Sequence, residues 1–129
     1  MPTWLAVAAG GAVGTLARYL VGVAWARPGV FPWWTLAINV AGSLALGVFA
    51  GVASARGATT STLTLALTVG LCGGFTTFST FSVETLALLE RGEWQRAGAY
   101  VVASVLLGLL AAAAGASVAT AFIRARLLS

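Results

Sequence analysis

The chain has 129 residues, of which 60% are hydrophobic and 8% charged, and its mean hydropathy is +0.98. Soluble domains carry about 25% charged residues, so this composition excludes a water-facing globule, and the length fits one domain, residues 1–129. The seven Arg and three Glu leave a net charge of +4 with no Lys, Asp or His; the Arg residues are scattered and form no basic stripe, which excludes a nucleic-acid surface, and a lone Cys72 without His excludes an intramolecular disulfide, a zinc site and Ser-His-Asp catalysis.

Four apolar segments are expected, all helical. The first runs from about Thr3 to Ala26 and ends at Arg27-Pro28-Gly29. It is too long, and too poor in basic residues at its start, for a secretory leader, so it reads as a span. The second covers about residues 33–55 and ends at Arg56-Gly57, the third about 62–89, ending at Glu90-Arg91-Gly92-Glu93, and the fourth about 97–123, ending with Arg124 and Arg126. Each exceeds the roughly 20 residues that cross a hydrocarbon core. Trp33, Trp34 and Trp94 stand at segment ends, where interfacial aromatics are expected.

An even number of spans puts both termini on one side. That side carries Arg56, Arg124 and Arg126, and the other Arg27, Arg91 and Arg96. The tie gives no positive-inside bias. It is what a chain inserting in both orientations needs, and two opposite insertions can pair as an antiparallel homodimer, an inverted-repeat architecture made from two copies. The chain is also short for a transporter with its own enclosed path. Gly10 with Gly14, Ser43 with Gly47 and Gly51, and Gly70 with Gly74 have the spacing of close helix packing. Each pattern is read first as ordinary packing within the chain.

In the first segment Arg18 either snorkels outward or stands in a water-filled vestibule that attracts anions. Glu84, in the third segment, is a candidate partner for it. In the second segment Asn39 needs a partner at membrane depth, and an ion path and an interhelical bond are both open to it. Asn39, Ser43 and Gly47 share one stripe, as do Tyr100, Ser104 and Gly108 in the fourth.

The third segment contains Gly73-Gly74-Phe75-Thr76-Thr77-Phe78-Ser79-Thr80-Phe81. Paired glycines followed by two Thr propagate a helix poorly. From spacing alone, a kink with its hydroxyls bonded back to the helix remains the commoner outcome. A full break would free backbone carbonyls, which suit a hard cation such as Na⁺ and are tolerated only inside protein or along a cavity. Phe75, Phe78 and Phe81 recur every third residue and are expected on one face. Ring edges are electropositive, so such a row either packs or lines a slot for an anion.

Taken together, Gly10-Gly11 with Gly14 and Arg18-Tyr19, Thr35-Leu36 with Asn39 and Gly42, and the run from Gly73 to Phe81 resemble the Fluc family of fluoride channels, also called CrcB-like proteins. The resemblance covers almost the whole chain. It implies an all-α membrane protein with its third helix broken near the middle, multi-pass in the inner or plasma membrane. It also implies a dual-topology antiparallel homodimer that exports fluoride passively and relieves its toxicity. By the same resemblance, Phe78 and Phe81 form an aromatic box, Asn39 is a pore amide, and Ser79, Thr80, Tyr100 and Ser104 lie near the ion path. Arg18 stands in the vestibule, and the Gly73 and Thr76 carbonyls of both subunits hold a structural Na⁺. One departure is Gly108, where some members carry a further Ser. Nothing in the chain points to catalysis or to nucleotide use. Two alternatives stand beside it: a small dual-topology multidrug or cation exporter, which would want an acid deep in the first helix where this chain has Arg18, and a non-transporting structural subunit of a larger membrane complex.

Overall fold

The computed structural model describes residues 1–25 and 31–128. The expected end of the first span at Ala26 and the loop residue Arg27 lie outside the described residues. Four helices are long and apolar enough to cross a membrane: Thr3–Trp25, Trp33–Ala55, Thr62–Glu90 and Trp94–Arg126.

Helices α1 (Thr3–Trp25) and α2 (Trp33–Ala55) are uninterrupted. The third span begins with α3 (Thr62–Leu65), whose N-cap Ser61 accepts from the Thr64 N–H at 3.2 Å. It widens into a π-helical stretch over Ala66–Cys72 and closes with one α turn, α4 (Gly73–Phe75). After Thr76 and Thr77 it resumes as α5 (Phe78–Glu90), and α6 (Trp94–Leu128) completes the fold. The fourth helix therefore starts three residues earlier, and ends five later, than its apolar run suggests. Helical propensity carries it past the hydrophobic core into polar ends.

Two helix ends are set by glycine. Gly57 has φ +62° and Gly92 φ +75°. After α2 the Ala58 N–H donates to the Ala53 carbonyl and the Gly57 N–H to Ser54; after α5 the Glu93 N–H donates to Leu88 and the Gly92 N–H to Leu89. Both are complete Schellman motifs, and a left-handed residue at that position favours glycine. In the α5–α6 turn Glu93 accepts from Arg91 and Arg96, each at 2.7 Å, and the Arg91 bond, then the Arg96 bond, holds its carboxyl below the usual range.

The small-residue spacings are used inside the chain. A Cβ on Gly10 or Gly14 would strike the Ala66 or Leu71 carbonyl, and one on Gly70 would lie 2.6 Å from the Val7 carbonyl. On the other side Gly47 sits against Ala112, Gly51 against Ala116 and Gly115 against Leu44. Contacts one helical turn apart rise together, from Gly10–Ala66 to Gly14–Leu71 and from Gly47–Ala112 to Gly51–Ala116. Spans one and three thus run parallel with backbones touching, and so do spans two and four, as up-down-up-down crossing requires. The hydroxyls of Thr3 and Thr62 share a hydrogen bond of 2.9 Å at the start of the first seam. A third contact joins α5 to α6, where Leu88, Ala97, Tyr100 and Leu36 form a buried cluster.

Trp33 and Trp94 stand exposed at the first residues of α2 and α6, as interfacial anchors do. Trp34 instead lays its ring over Gly22 of α1.

Candidate functional site

The break in the third span is where the chemistry collects. It falls at Thr76 (φ −76°, ψ 157°) and Thr77 (φ −150°, ψ 108°), not at the glycine pair. Gly73 and Gly74 remain helical, and only Gly74 is needed for packing, since a Cβ on Gly73 would meet nothing nearer than the Thr68 carbonyl at 3.9 Å. A Cβ on Gly74 would lie 2.5 Å from the Gly11 carbonyl, so glycine there serves close approach to α1 rather than flexibility. The two Thr are β-branched and suit extended backbone.

Leaving the helix costs hydrogen bonds, and named side chains replace them. The Thr77 N–H, which a continuous helix would aim at the Gly73 carbonyl, donates to Asn39 Oδ1 at 2.7 Å. Asn39 Nδ2 donates back to the Thr77 carbonyl at 3.2 Å. The Asn39 side chain thus pairs with Thr77 as a neighbouring strand would. The Thr80 N–H, which would serve the Thr76 carbonyl, donates instead to Thr77 Oγ1 at 3.2 Å, so Thr77 caps α5. Thr77 Oγ1 also donates to Thr80 Oγ1 at 2.9 Å and lies 3.3 Å from Ser79 Oγ. From α1, Arg18 Nε donates to the Gly74 carbonyl at 3.1 Å.

Beside the break lies a groove of about 260 Å³, lined by Asn39, Ser43 and Leu46 of α2, Thr76 and Thr77, Phe78 and Phe81 of α5, and Ser104 and Val105 of α6. The Phe78 and Phe81 rings are 5.5 Å apart and tilted by 47°, and Phe81 lies 5.1 Å from Tyr100. Phe78 is 78% exposed. Ser104 Oγ is buried and without a hydrogen-bond partner among the described residues. One N–H of the Asn39 amide is used by Thr77, and the second is left for the groove. No charged side chain lines it.

The structure brings Asn39, Phe78, Phe81 and Ser104 together. Ser79 and Thr80 stand at the α5 cap, next to the groove but not on its wall. Tyr100 is fully buried, and its hydroxyl donates to Glu84 Oε2 at 2.7 Å. Two expectations are corrected. Phe75 does not share a face with Phe78 and Phe81, because the break separates α4 from α5 and leaves its ring against Gly42. Arg18 and Glu84 do not pair: Arg18 is spent on Gly74, and Glu84 accepts from Thr35 Oγ1 at 2.8 Å and from Tyr100. Thr35, fully buried, was given no role by sequence reasoning. Its signal was present, since Thr35 precedes Asn39 by four residues just as Tyr100 precedes Ser104, making polar ladders on two apolar helices. Among the described residues no cluster of His, Cys, Asp or Glu is built to hold a metal ion.

The family model described as CrcB-like protein, Camphor Resistance (CrcB), matches residues 5–116. A protein of Nitrobacter winogradskyi named fluoride-specific ion channel FluC is 54% identical over 114 residues, which cover 86% of this chain and 90% of that protein. Its namesake in Paramagnetospirillum magneticum is 49% identical over 124 residues, covering 93% of this chain and 97% of its own.

The pairing at Thr77 generates a stability prediction. Asn39→Leu keeps the bulk but leaves a buried N–H and C=O without their partner, at a cost of about 2–3 kcal/mol. The thermal unfolding midpoint in detergent should fall accordingly. A midpoint equal to the parent's would show that Asn39 does not hold the break.

Proposed function

The chain belongs to the CrcB-like family, and from that premise we propose that it is a multi-pass membrane protein that lets fluoride out of the cell passively. The observation that carries this reading is the groove at the break, where unpaired donors face two aromatic rings with no fixed charge between them. Fluoride is small and strongly hydrated, so it must exchange water for good donors. The second Asn39 N–H and the Ser104 hydroxyl are such donors, and the Phe78 and Phe81 edges carry partial positive charge. A guanidinium on the wall would trap the ion, whereas conduction needs binding weak enough to release it. Arg18 meets that condition by position: it does not line the groove, and its Nε–H is turned to the Gly74 carbonyl.

The functional unit is a homodimer of antiparallel copies. Gly73 is exposed and Thr76 partly so, and the helical donors of both carbonyls are engaged elsewhere. Lipid cannot satisfy such groups, so protein or water must cover them. A second copy laid against the break and the exposed Phe78 supplies that cover, and inversion is what the balanced Arg distribution permits.

The same two carbonyls suit a small hard cation, which takes oxygen ligands, and Na⁺ is the ion proposed. Gly73 and Thr76 would hold it from both copies. When bound, it supplies positive charge to backbone dipoles that face no donor, and it stabilises the assembled state by mass action.

Liposomes holding the purified protein should release loaded fluoride down its gradient with no energy source. Phe78→Ile and Phe81→Ile keep the bulk and remove the ring edge. Each should lower fluoride release by about tenfold or more while the dimer still purifies. Normal release in both variants would return the rings to a packing role, and no release from the parent would sink the functional reading.

Orientation is tested separately with a C-terminal tag in intact cells. Tags should be found on both faces of the membrane, and a single face in every molecule would defeat the antiparallel arrangement.

A further inference from the structure

We infer that Ser43 is a further residue of the ion path, reached because Gly108 leaves the space above its hydroxyl empty. This rests on fluoride passing along the groove beside the break. Hydroxyls in membrane helices are normally bonded back to the carbonyl one turn before them. This chain shows that habit at Thr68, Thr76, Ser82 and Thr85, whose side chains donate to Thr64, Cys72, Phe78 and Phe81 at 2.8–2.9 Å. Four hydroxyls line the groove: Ser43, Thr76, Thr77 and Ser104. Thr76 is bonded back to its own helix, and Thr77 caps α5. The other two are not bonded back. Ser104 Oγ is buried without a partner, and Ser43 likewise makes no hydrogen bond to a described residue.

Position explains what the free hydroxyl of Ser43 is for. It lies one helical turn beyond Asn39 on α2, as Gly108 lies one turn beyond Ser104 on α6. A Cβ built on Gly108 would meet Ser43 Oγ at 3.7 Å and nothing nearer. The two helices therefore face each other here with one hydroxyl between them, carried by α2. Gly47, a turn further on, is different, because it is pressed against the Ala112 backbone and closes the seam. Gly108 is thus not needed for close approach, and its missing side chain leaves room for an ion at Ser43. Donors then succeed one another along the groove, from the Asn39 amide and Ser104 to Ser43. An anion can pass from one to the next without losing all its ligands at once.

The test is fluoride release from liposomes holding the full-length protein. Ser43→Ala should reduce release by about tenfold, the value of one hydrogen bond to a charged partner. The double variant Ser43→Ala, Gly108→Ser moves the hydroxyl across the groove and should restore release to within about threefold of the parent, by the same conversion of energy to rate. Parent-like release from Ser43→Ala overturns the inference, and so does a loss that Gly108→Ser leaves unrepaired, since that marks a packing role. A second readout uses Ser43→Cys with a small thiol-reactive methanethiosulfonate. Reagent should block release, and fluoride should slow the reaction. A thiol that does not react, or reacts at a rate indifferent to fluoride, also overturns it. Failure here is distinct from failure of the fluoride reading itself: in that case the parent would release nothing.

Discussion

The reciprocal bond between the Asn39 side chain and the Thr77 backbone is the constraint on which the rest of this structure depends. A helix interrupted inside a membrane exposes donors and acceptors that hydrocarbon cannot satisfy, each at a cost of several kcal/mol. Asn39 is the only Asn in the chain, and it presents to Thr77 one acceptor and one donor in the places a peptide group would. Thr77 then uses its own hydroxyl to start α5. The interruption becomes a stable structural element with two ends, and the groove with its aromatic pair follows from it.

That bond can form only because the glycine seams hold the helices at fixed, short separations. Spans one and three, and spans two and four, are joined by backbone contact through Gly10, Gly14, Gly70 and Gly74, and through Gly47, Gly51 and Gly115. Gly42 connects this frame to the break. A Cβ there would strike the Thr76 side chain and come within 3.2 Å of the Phe75 ring. Removing that atom lets the third span lie close enough to α2 for Asn39, three residues earlier, to reach Thr77. The π-helical stretch over Ala66–Cys72 lies on the seam with α1 and includes Ala66 and Leu71, the residues that meet Gly10 and Gly14. Packing, widening and break are therefore parts of one arrangement.

Much of this was legible in the sequence. Apolar length located the four spans to within a few residues, because twenty consecutive apolar residues have few other uses. The GxxxG spacings marked real backbone contacts, and an Asn at membrane depth announced a partner. Other features were not legible, for specific reasons. The Gly73-Gly74 pair suggested the break by propensity, but glycine serves close packing as well as flexibility, and sequence does not say which. The three-residue rhythm of Phe75, Phe78 and Phe81 assumes one continuous helix, which Thr76 and Thr77 interrupt. The pairing of opposite charges suggested Arg18 with Glu84, whereas a guanidinium donates equally well to a carbonyl and a carboxylate accepts equally well from hydroxyls. Thr35 was overlooked because a lone Thr in an apolar helix usually bonds to its own backbone.

The central claim is that one side chain both holds the break and faces the ion. It is tested most directly by fluoride release from liposomes holding purified Asn39→Asp, with assembly followed by size exclusion. Aspartate keeps the size and an acceptor for the Thr77 N–H but lacks, in either protonation state, the second N–H that faces the groove. The account predicts a protein that still assembles but is less stable than the parent, because an ionised aspartate gives the Thr77 carbonyl no donor, and that releases fluoride far more slowly. Assembly and release both equal to the parent's would contradict it, and would place the ion path away from Asn39.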